Sequence, residues 1–338
     1  MKKLFVFMFI TILFVSVTIT SFAESKTVED IDSMSKDSIL KVYSNQLEKA
    51  GYNKTLLSFL TEKELKDIIK NNGVLLKYSQ SYDLFVTSEK AKDSSFKVQD
   101  TNTIVQETKV IKLTKSEYDN LKKFNKKEDL LNYINNNGID YLTNFDSSIV
   151  VKTEEEKVST SSADFEATDY LDTGILETSL DVSDVSTSSE CNKILGFNFN
   201  WTVMPNYTLT DGLGISHTAG YFDNYIDKGF YVDHYTPANQ GWHTELYSTE
   251  WNLYGVSGNW DPKMNDVSAN GRIWEKVGNA KSAVPEGAKF TIIGQYGHKQ
   301  IVGGISVAIG KGSITFTPTF SGTIKKSTQI WLNDILTY

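Results

Sequence analysis

The chain has 338 residues, a formal net charge of −8 at pH 7 and a single cysteine, Cys191, which excludes an intramolecular disulfide. A chain of this length buries enough apolar surface to fold without one. Acidic residues outnumber basic residues by 42 to 34, and neither half of the chain has an excess of positive charge, which excludes a typical basic nucleic-acid-binding protein.

The first residues have the pattern of an export signal. Lys2 and Lys3 precede an uncharged, largely apolar stretch that ends at the small-x-small site Ser21-Phe22-Ala23. This predicts a signal peptide over residues 1–23; a membrane anchor is the alternative, because the apolar stretch approaches the length of a membrane span. No later stretch is long and apolar enough to span a bilayer. The mature protein is therefore predicted to be secreted and extracellular, without a transmembrane segment.

Residues 24–153 carry the signals of a small α+β domain. Thr61 and Glu64 have the spacing of a capping box at the start of a helix, and Thr114 and Glu117 repeat it. Two more helices are predicted near residues 35–51 and 125–138, and short strands at Val74–Tyr78, Tyr82–Val86 and Ile104–Leu113.

Residues 154–190 differ in composition from both flanks. They hold eleven acidic residues against the single Lys157, together with many serines and threonines. Low hydrophobicity with a high like charge is typical of a solvated, extended segment, so this stretch is predicted to be a linker. All six tryptophans and the sole arginine of the chain follow it. This difference in composition predicts two domains, one on each side of the linker.

Residues 191–338 are predicted to form an all-β antiparallel sandwich. Leu195–Val203 alternates apolar and polar residues, which is the period of a strand with one buried face. Several such stretches, separated by turn residues and without helical periodicity, favour a sandwich over a parallel α/β sheet. Further strands are predicted at Gly229–Tyr235, Trp242–Val256, Gly271–Val277, Lys289–Gly297 and Thr328–Leu332.

The stretch Gly304–Phe320 predicts a hairpin within this sandwich. Apolar residues alternate with Ser, Thr, Ala and Gly on both sides of Lys311-Gly312, which supplies the turn. Such a hairpin is marginal on its own, because one apolar face needs a partner. We therefore expect its apolar face, including Phe316, to be buried and its Ser/Thr face to be exposed.

One candidate metal site lies on the predicted strand that begins at Trp242. His243 and Glu245 point to the same face of a strand, and His234 or Asp233 is available as a third ligand. Zinc accepts imidazole and carboxylate ligands of this kind. A surface pair of His and Glu without a metal is the alternative interpretation.

A second candidate metal site lies in a turn-rich segment. Asp261, Asn265, Asp266 and Asn270 offer the oxygen ligands that calcium prefers, although their spacing is not that of an EF-hand loop. Asn and Asp also favour turns through their own backbone hydrogen bonds, and this is the alternative. No cofactor is predicted beyond these two candidate metals, zinc and calcium.

Arg272 and Trp274 form a candidate ligand-binding pair. A planar guanidinium group beside an indole ring is suited to clamping a carboxylate or stacking on a ligand. The alternative is a structural salt bridge from Arg272 to Glu275 or Glu286.

Trp260 is the third candidate ligand-binding residue. It sits in the turn-like stretch Gly258-Asn259-Trp260-Asp261-Pro262, where a large ring gains little packing from a strand. Exposure there would make the ring available to a partner. The alternative is that the ring folds back over the end of the sandwich, because large aromatic side chains are mostly buried.

Part of the C-terminal half resembles a group of known sequences. The segments Trp260-Asp261-Pro262, Asp266–Arg272 and Gly294–His298, followed by the terminal hairpin, resemble uncharacterised secreted proteins of Gram-positive bacteria. The resemblance covers roughly residues 191–338. It implies an exported sandwich and brings no known activity or catalytic residues.

The leading functional hypothesis is a secreted binding protein whose sandwich contacts a surface glycan or a protein. Nucleophile elbows, zinc-protease, phosphate-loop and dinucleotide motifs are missing from the sequence, so an enzyme is not favoured. Two alternatives stay open: a hydrolase with an unrecognised site, and a pore-forming or antagonistic toxin. A binding protein predicts exposed aromatic side chains, whereas an enzyme predicts clustered carboxylates or a metal in a deep pocket.

Overall fold

The structure is a computed structural model that describes residues 28–90, 105–124, 126–138, 170–205, 210–222, 224–237, 241–263, 266–299, 304–319 and 324–338. The chain divides into two compact units, Met1–Met34 and Ser35–Tyr338. In the first unit a 3-10 helix spans Val28–Ser33. The predicted signal peptide lies outside the described residues. All other elements belong to the second unit.

Helices occur in the first part of this second unit. They are α1 Lys36–Lys49, α2 Lys54–Phe59, α3 Glu62–Lys70, α4 Lys115–Leu121 and α5 Lys127–Asn137. Both predicted capping boxes are confirmed, with Thr61 and Glu64 at the start of α3, and Thr114 and Glu117 at the start of α4. Helix α2 was not predicted, because six residues are too few to show a helical period. None of the helices in the described ranges is long and apolar enough to cross a membrane.

The rest of the described chain is dominated by strands, and all of their pairings are antiparallel. The strands are β1 Val74–Lys90, β2 Val105–Leu113, β3 Tyr170–Asp184, β4 Glu190–Val203, β5 Asp211–His217, β6 Asn224–Thr236, β7 Gly241–Leu246, β8 Thr249–Asn252, β9 Gly255–Trp260, β10 Ser268–Ala280, β11 Lys289–Lys299, β12 Ile305–Gly310, β13 Ser313–Pro318, β14 Ile324–Lys326 and β15 Ile330–Leu336. An α+β region followed by antiparallel sheets confirms the predicted fold class.

Two large sheets pack face to face. The seven-stranded sheet has the order β2-β1-β3-β4-β10-β6-β7, and the six-stranded sheet has the order β14-β11-β5-β9-β8 with β15 also pairing with β11. Their inner faces share one apolar core, which includes Phe197 and Ile273 from the first sheet and Ile215 and Ile292 from the second. Helix α3 lies against the outer face of the seven-stranded sheet, where Lys276 of β10 pairs with Asp67.

The predicted hairpin is confirmed as β12 and β13, a separate two-stranded sheet on the outer face of the six-stranded sheet. Its apolar face is buried, whereas Ser306, Thr315 and Thr317 are exposed. Glycine in the underlying strand allows this close approach, because a Cβ atom on Gly297 would lie 2.7 Å from the ring of Phe316. A side-chain hydrogen bond also joins the hairpin to β5, because the Ser216 hydroxyl donates to the Gly310 carbonyl at 2.6 Å.

The predicted linker is wrong for residues 170–184, which form β3 between β1 and β4. Three of the four acidic residues of β3 pair with cations: Asp172 with Lys127, Asp181 with Arg272 and Asp184 with Lys193. The fourth, Glu177, accepts hydrogen bonds from Tyr118 and Gln80. Most of the like charge of this strand is thereby neutralised. Because β1 pairs with β3, the α+β region and the sandwich share one sheet. Residues 154–169 lie outside the described ranges.

The hairpin offers a test of side-chain direction. Phe316→Asp places a charge on the buried face and is expected to lower the free energy of unfolding by about 3 kcal/mol. Thr315→Asp, one residue away on the exposed face, should change it by less than about 0.5 kcal/mol. Urea unfolding of both variants measures the difference. Equal losses would contradict the assigned register of β13.

Candidate functional site

Trp260 lies in the core, so the expectation that it is exposed is wrong. Its side chain is 1% exposed, and its indole ring stacks on Phe199 with ring centroids 5.3 Å apart. Its indole N–H donates to the Tyr296 hydroxyl at 3.0 Å, as does that of Trp201. The cause is that Trp260 ends β9 and faces the inner side of the sandwich, rather than lying in a loop. The alternative interpretation of burial was the better one.

Arg272 is fully buried in an ion network that joins α3 to the seven-stranded sheet. Its guanidinium group donates to both oxygens of Asp181, at 2.6 and 3.0 Å, and to Glu64 at 2.8 and 2.9 Å. The fifth N–H donates to the Asn198 amide oxygen at 2.7 Å. Every donor of the guanidinium group is therefore satisfied. A Cβ on Gly196 would lie 2.0 Å from this group, so glycine makes room for it.

The partners of Arg272 differ from those predicted. Glu275 lies on the opposite face of β10, and Glu286 follows the strand, so neither forms the salt bridge. Trp274 shares the outer face with Arg272 and is also buried, with its indole nitrogen 2.7 Å from the Cβ position of Gly229. The predicted pair therefore lies under the helices, and the structural interpretation of Arg272 is the better one.

His243, Glu245 and His234 come together at the edge of the seven-stranded sheet, whereas Asp233, the other predicted zinc ligand, points to the opposite face of β6. His243 Nε2 lies 3.4 Å from Glu245 Oε1, and the buried His234, which pairs with His243 across the strands, has its Nε2 4.0 Å from Glu245 Oε2. Hydrogen bonds from the Tyr247 hydroxyl and from Lys263 lower the pKa of Glu245 to about 2. The carboxylate is therefore ionised and already paired with a cation.

Two of the predicted calcium ligands, Asp261 and Asp266, have hydrogen-bond partners within the protein. Asp266 is buried and binds His234 Nδ1 at 2.6 Å, while it also accepts from the Thr236 hydroxyl. Asp261 is exposed and accepts from the Thr210 hydroxyl at 2.6 Å. Across the described ranges, no group of three or more His, Cys, Asp or Glu side chains is arranged to hold a metal ion. Asn265 lies outside those ranges, and the zinc and calcium sites stay predictions.

A buried acid, Glu275, lies on the inner face of β10, at a position where no site was predicted. Neither carboxyl oxygen of Glu275 has a hydrogen-bond partner, and burial raises its pKa to about 8. His217 Nε2 lies 3.9 Å away, and burial lowers the pKa of that imidazole to about 4. The distance is too long for a hydrogen bond, and both shifts favour the uncharged forms, so we assign this pair as neutral.

A polar groove opens on the outer face of the six-stranded sheet, between β8–β9 and the hairpin strand β12. Its volume is about 270 Å³. Three serine hydroxyls, one amide and one carboxylate supply the polar groups, and the sides are completed by backbone and aliphatic atoms. The lining residues are Ser248, Glu250, Ser257, Gly258, Asn259, Ile305, Ser306 and Val307.

Large apolar side chains are exposed along the neighbouring edge strands. Trp242 and Leu246 on β7 are 56% and 85% exposed, and Trp251 on β8 is also exposed. Trp242 lies beside Tyr235, with ring centroids 5.4 Å apart. Exposed aromatic side chains are what a binding protein was expected to show, but they belong to tryptophans other than Trp260.

The groove has no signal in the sequence, because its residues come from three separate stretches that meet only through strand pairing. Ser257 and Asn259 are alternate residues of β9 that point away from the core. Ser306 likewise points to the exposed face of β12. Alternation predicts that such residues are on an outer face. It does not predict which outer faces come together.

Comparisons with known proteins place the chain in no family. No family model matches it, and neither does any curated protein. Among solved structures, it is similar to the collagen-binding domain of the surface protein RspB of Erysipelothrix rhusiopathiae, with 7% sequence identity and a TM-score of 0.22. The similarity covers 50% of this chain and 75% of that domain. A similarity at this level gives no argument about what the chain binds.

Proposed function

We propose that the protein is a secreted, extracellular binding protein that holds a surface glycan in the groove between β8–β9 and β12. The observation that carries this proposal is the polar lining of the groove, in which hydroxyl, amide and carboxylate groups converge on a space of about 270 Å³. Binding sites combine a concave shape with a few convergent polar groups. A polyhydroxylated ligand is the class that matches these groups.

Two of the side chains that line the groove already use a hydrogen-bond donor, which favours a ligand that supplies hydrogen-bond donors. The Ser257 hydroxyl already donates to the Val307 carbonyl at 3.2 Å, and the Asn259 amide nitrogen donates to the Ile305 carbonyl at 2.9 Å. The oxygens of both side chains retain lone pairs, and the Glu250 carboxylate is purely an acceptor when ionised. Sugar hydroxyl groups supply the matching donors.

The size of the groove fits one unit of a longer chain. Its volume lies just below the range of pockets that enclose drug-sized ligands, so it holds a small unit while the rest of a polymer stays outside. Trp251, also on β8, lies outside the groove, because it is the cross-strand partner of the core residue Val256 and points to the opposite face from Glu250.

Closing the groove tests the proposal. Ser306→Arg places a long side chain at the groove, and we expect at least about a tenfold loss of binding to isolated bacterial cell-envelope glycan. Thr317→Arg is the matched control, because Thr317 is the exposed cross-strand neighbour of Ser306 and does not line the groove. Co-sedimentation with envelope material measures both variants.

Two outcomes would contradict the proposal. If both arginine variants bind as well as the unchanged protein, the groove is not the site. If binding survives chemical oxidation of the glycan but is lost after protease treatment of the envelope, the partner is a protein. Unfolding curves of the two variants, which change only exposed positions, control for stability.

A further inference from the structure

Strand β7 is a free edge with exposed apolar side chains. Within the part of the chain that the structure describes, β7 pairs only with β6 and is the last strand of the seven-stranded sheet. Trp242 and Leu246 project from it and are 56% and 85% exposed. A hydrophobic edge strand is a template for pairing with another chain. None of the groove residues belongs to β7, so this edge is a second surface.

The backbone of β7 directs its unused hydrogen-bonding groups outward at alternate residues. The Tyr247 N–H donates to the Phe230 carbonyl at 2.9 Å, which places 230 and 247 in a hydrogen-bonded pair. In an antiparallel ladder these pairs alternate, so Glu245 and His243 also exchange bonds with β6. The N–H and C=O groups of Trp242, Thr244 and Leu246 therefore point away from the sheet.

The side chains of β7 are complementary to those of the same strand running in the opposite direction. If a second β7 pairs with a two-fold axis at Thr244, Trp242 lies opposite the partner's Leu246. His243 then lies opposite the partner's Glu245, and Thr244 opposite the partner's Thr244. Apolar side chains thus meet on one face and an imidazole meets a carboxylate on the other.

The same register also pairs the outward-facing backbone N–H and C=O groups of the two strands. All three outward-facing residues, Trp242, Thr244 and Leu246, become hydrogen-bonded pairs with the partner strand, so each outward N–H meets a carbonyl. A shift by one residue would place Trp242 opposite the partner's Glu245 and would break both the side-chain and the backbone match. A two-fold axis with one self-complementary patch is the commonest symmetry of soluble dimers.

We propose that β7 is a dimerisation strand and that its partner is a second copy of this chain, paired antiparallel about Thr244. Two six-residue strands and the side chains above them bury less area than a standard stable interface, so the dimer is weak and forms as protein concentration rises. The continuous sheet then runs through both copies. Each dimer carries two grooves.

Charge swaps test the register directly. Trp242→Lys combined with Leu246→Lys places lysine opposite the partner's lysine at both outer positions, and Trp242→Glu combined with Leu246→Glu does the same with glutamate. Each double variant is expected to lose self-association by at least about tenfold in Kd. Mixing the two variants restores a dimer, because lysine then meets glutamate at both positions. Sedimentation velocity over a range of protein concentrations measures all four samples, including the unchanged protein.

A second pair of variants tests the backbone bonds. Thr244→Pro removes an outward N–H without removing a bond to β6, and we expect it to abolish the dimer. Thr244→Val also loses the hydroxyl that donates to Asp233 but keeps the N–H, so it should still dimerise. Far-UV circular dichroism confirms that each variant is folded. The proposal is overturned if the unchanged protein is a monomer at every concentration, or if the lysine and proline variants associate like the unchanged protein. It is also overturned if the mixture of the lysine and glutamate double variants stays monomeric.

Discussion

Arg272→Met is expected to lower the free energy of unfolding by about 3–5 kcal/mol, because it leaves the buried Glu64 and Asp181 carboxylates without their cation. Methionine fills much of the volume of the arginine side chain, so loss of packing is a minor part of the effect. The loss should be accompanied by weaker docking of α3 on the sheet, since Glu64 is the residue through which that helix reaches Arg272. Urea unfolding and hydrogen exchange of α3 measure the two effects.

Lys276→Met is the matched control for this prediction. Lys276 lies on the same face of β10 and pairs with Asp67 of the same helix at 2.9 Å, but both side chains of this pair are partly exposed. We expect its loss to cost about 1 kcal/mol or less. Adding Glu64→Gln and Asp181→Asn to Arg272→Met should recover part of the stability. No recovery would show that the loss does not come from uncompensated charge.

Glu275→Gln is expected to stabilise the protein at alkaline pH. The pKa of Glu275 is raised from its ordinary value of 4.5 to about 8 in the folded protein, because its carboxyl group is fully buried. A carboxyl group with a raised folded-state pKa contributes stability below the unfolded pKa, and that contribution is lost as pH rises through the folded pKa. The unchanged protein therefore loses stability between pH 4.5 and 8, by about 4 kcal/mol from this group.

Glutamine keeps the shape of the protonated acid and cannot ionise, so the variant should lack this loss. The difference in free energy of unfolding between the two proteins should be small near pH 4.5, grow with pH and level off above pH 8. Glu286→Gln, at an exposed carboxylate, should give a small difference that does not follow this curve. A flat difference for Glu275→Gln would mean that the buried group is hydrated or already charged.

His217, the imidazole beside Glu275, gives stability the opposite pH dependence. Burial lowers the folded-state pKa of His217 from 6.5 to about 4, so the stability from its neutral form is present above pH 6.5 and is lost as pH falls toward 4. Ionisation of Glu275 therefore destabilises the fold as pH rises, whereas protonation of His217 destabilises it as pH falls. Comparing Glu275→Gln with the unchanged protein isolates the acid, because His217 is present in both.

Local signals in the sequence were sufficient for several individual elements. Thr61 and Glu64 predicted the start of α3, because a capping box involves atoms only three residues apart. Alternation predicted β4 and the hairpin β12–β13, including the burial of Phe316, because side chains of a strand point to opposite faces. The same rule placed Trp201 in the core. These properties depend on neighbours along the chain.

The candidate site could be predicted only in part. Alternation correctly put His243 and Glu245 on one face, but it did not show that Lys263 already pairs with Glu245. Among the tryptophans, Trp260 was the candidate for exposure, with burial as the alternative, whereas the structure buries Trp260 and exposes Trp242. Trp260 lies on β9, which is paired on both sides, and Trp242 lies on the edge strand β7. The two look alike in sequence, because both lie near turn residues.

By itself, the sequence determined the starts of α3 and α4, the strand alternation and the fold class, because capping bonds and periodicity act over a few residues. Only the tertiary structure decided that residues 170–184 form a central strand rather than a linker, because three of the four acidic residues of β3 pair with cations from other elements. Arg272 reaches Glu64 across 208 positions and Asp181 across 91. The cost of burying a charge depends on what lies opposite it in space, and composition counted along a segment does not contain that information.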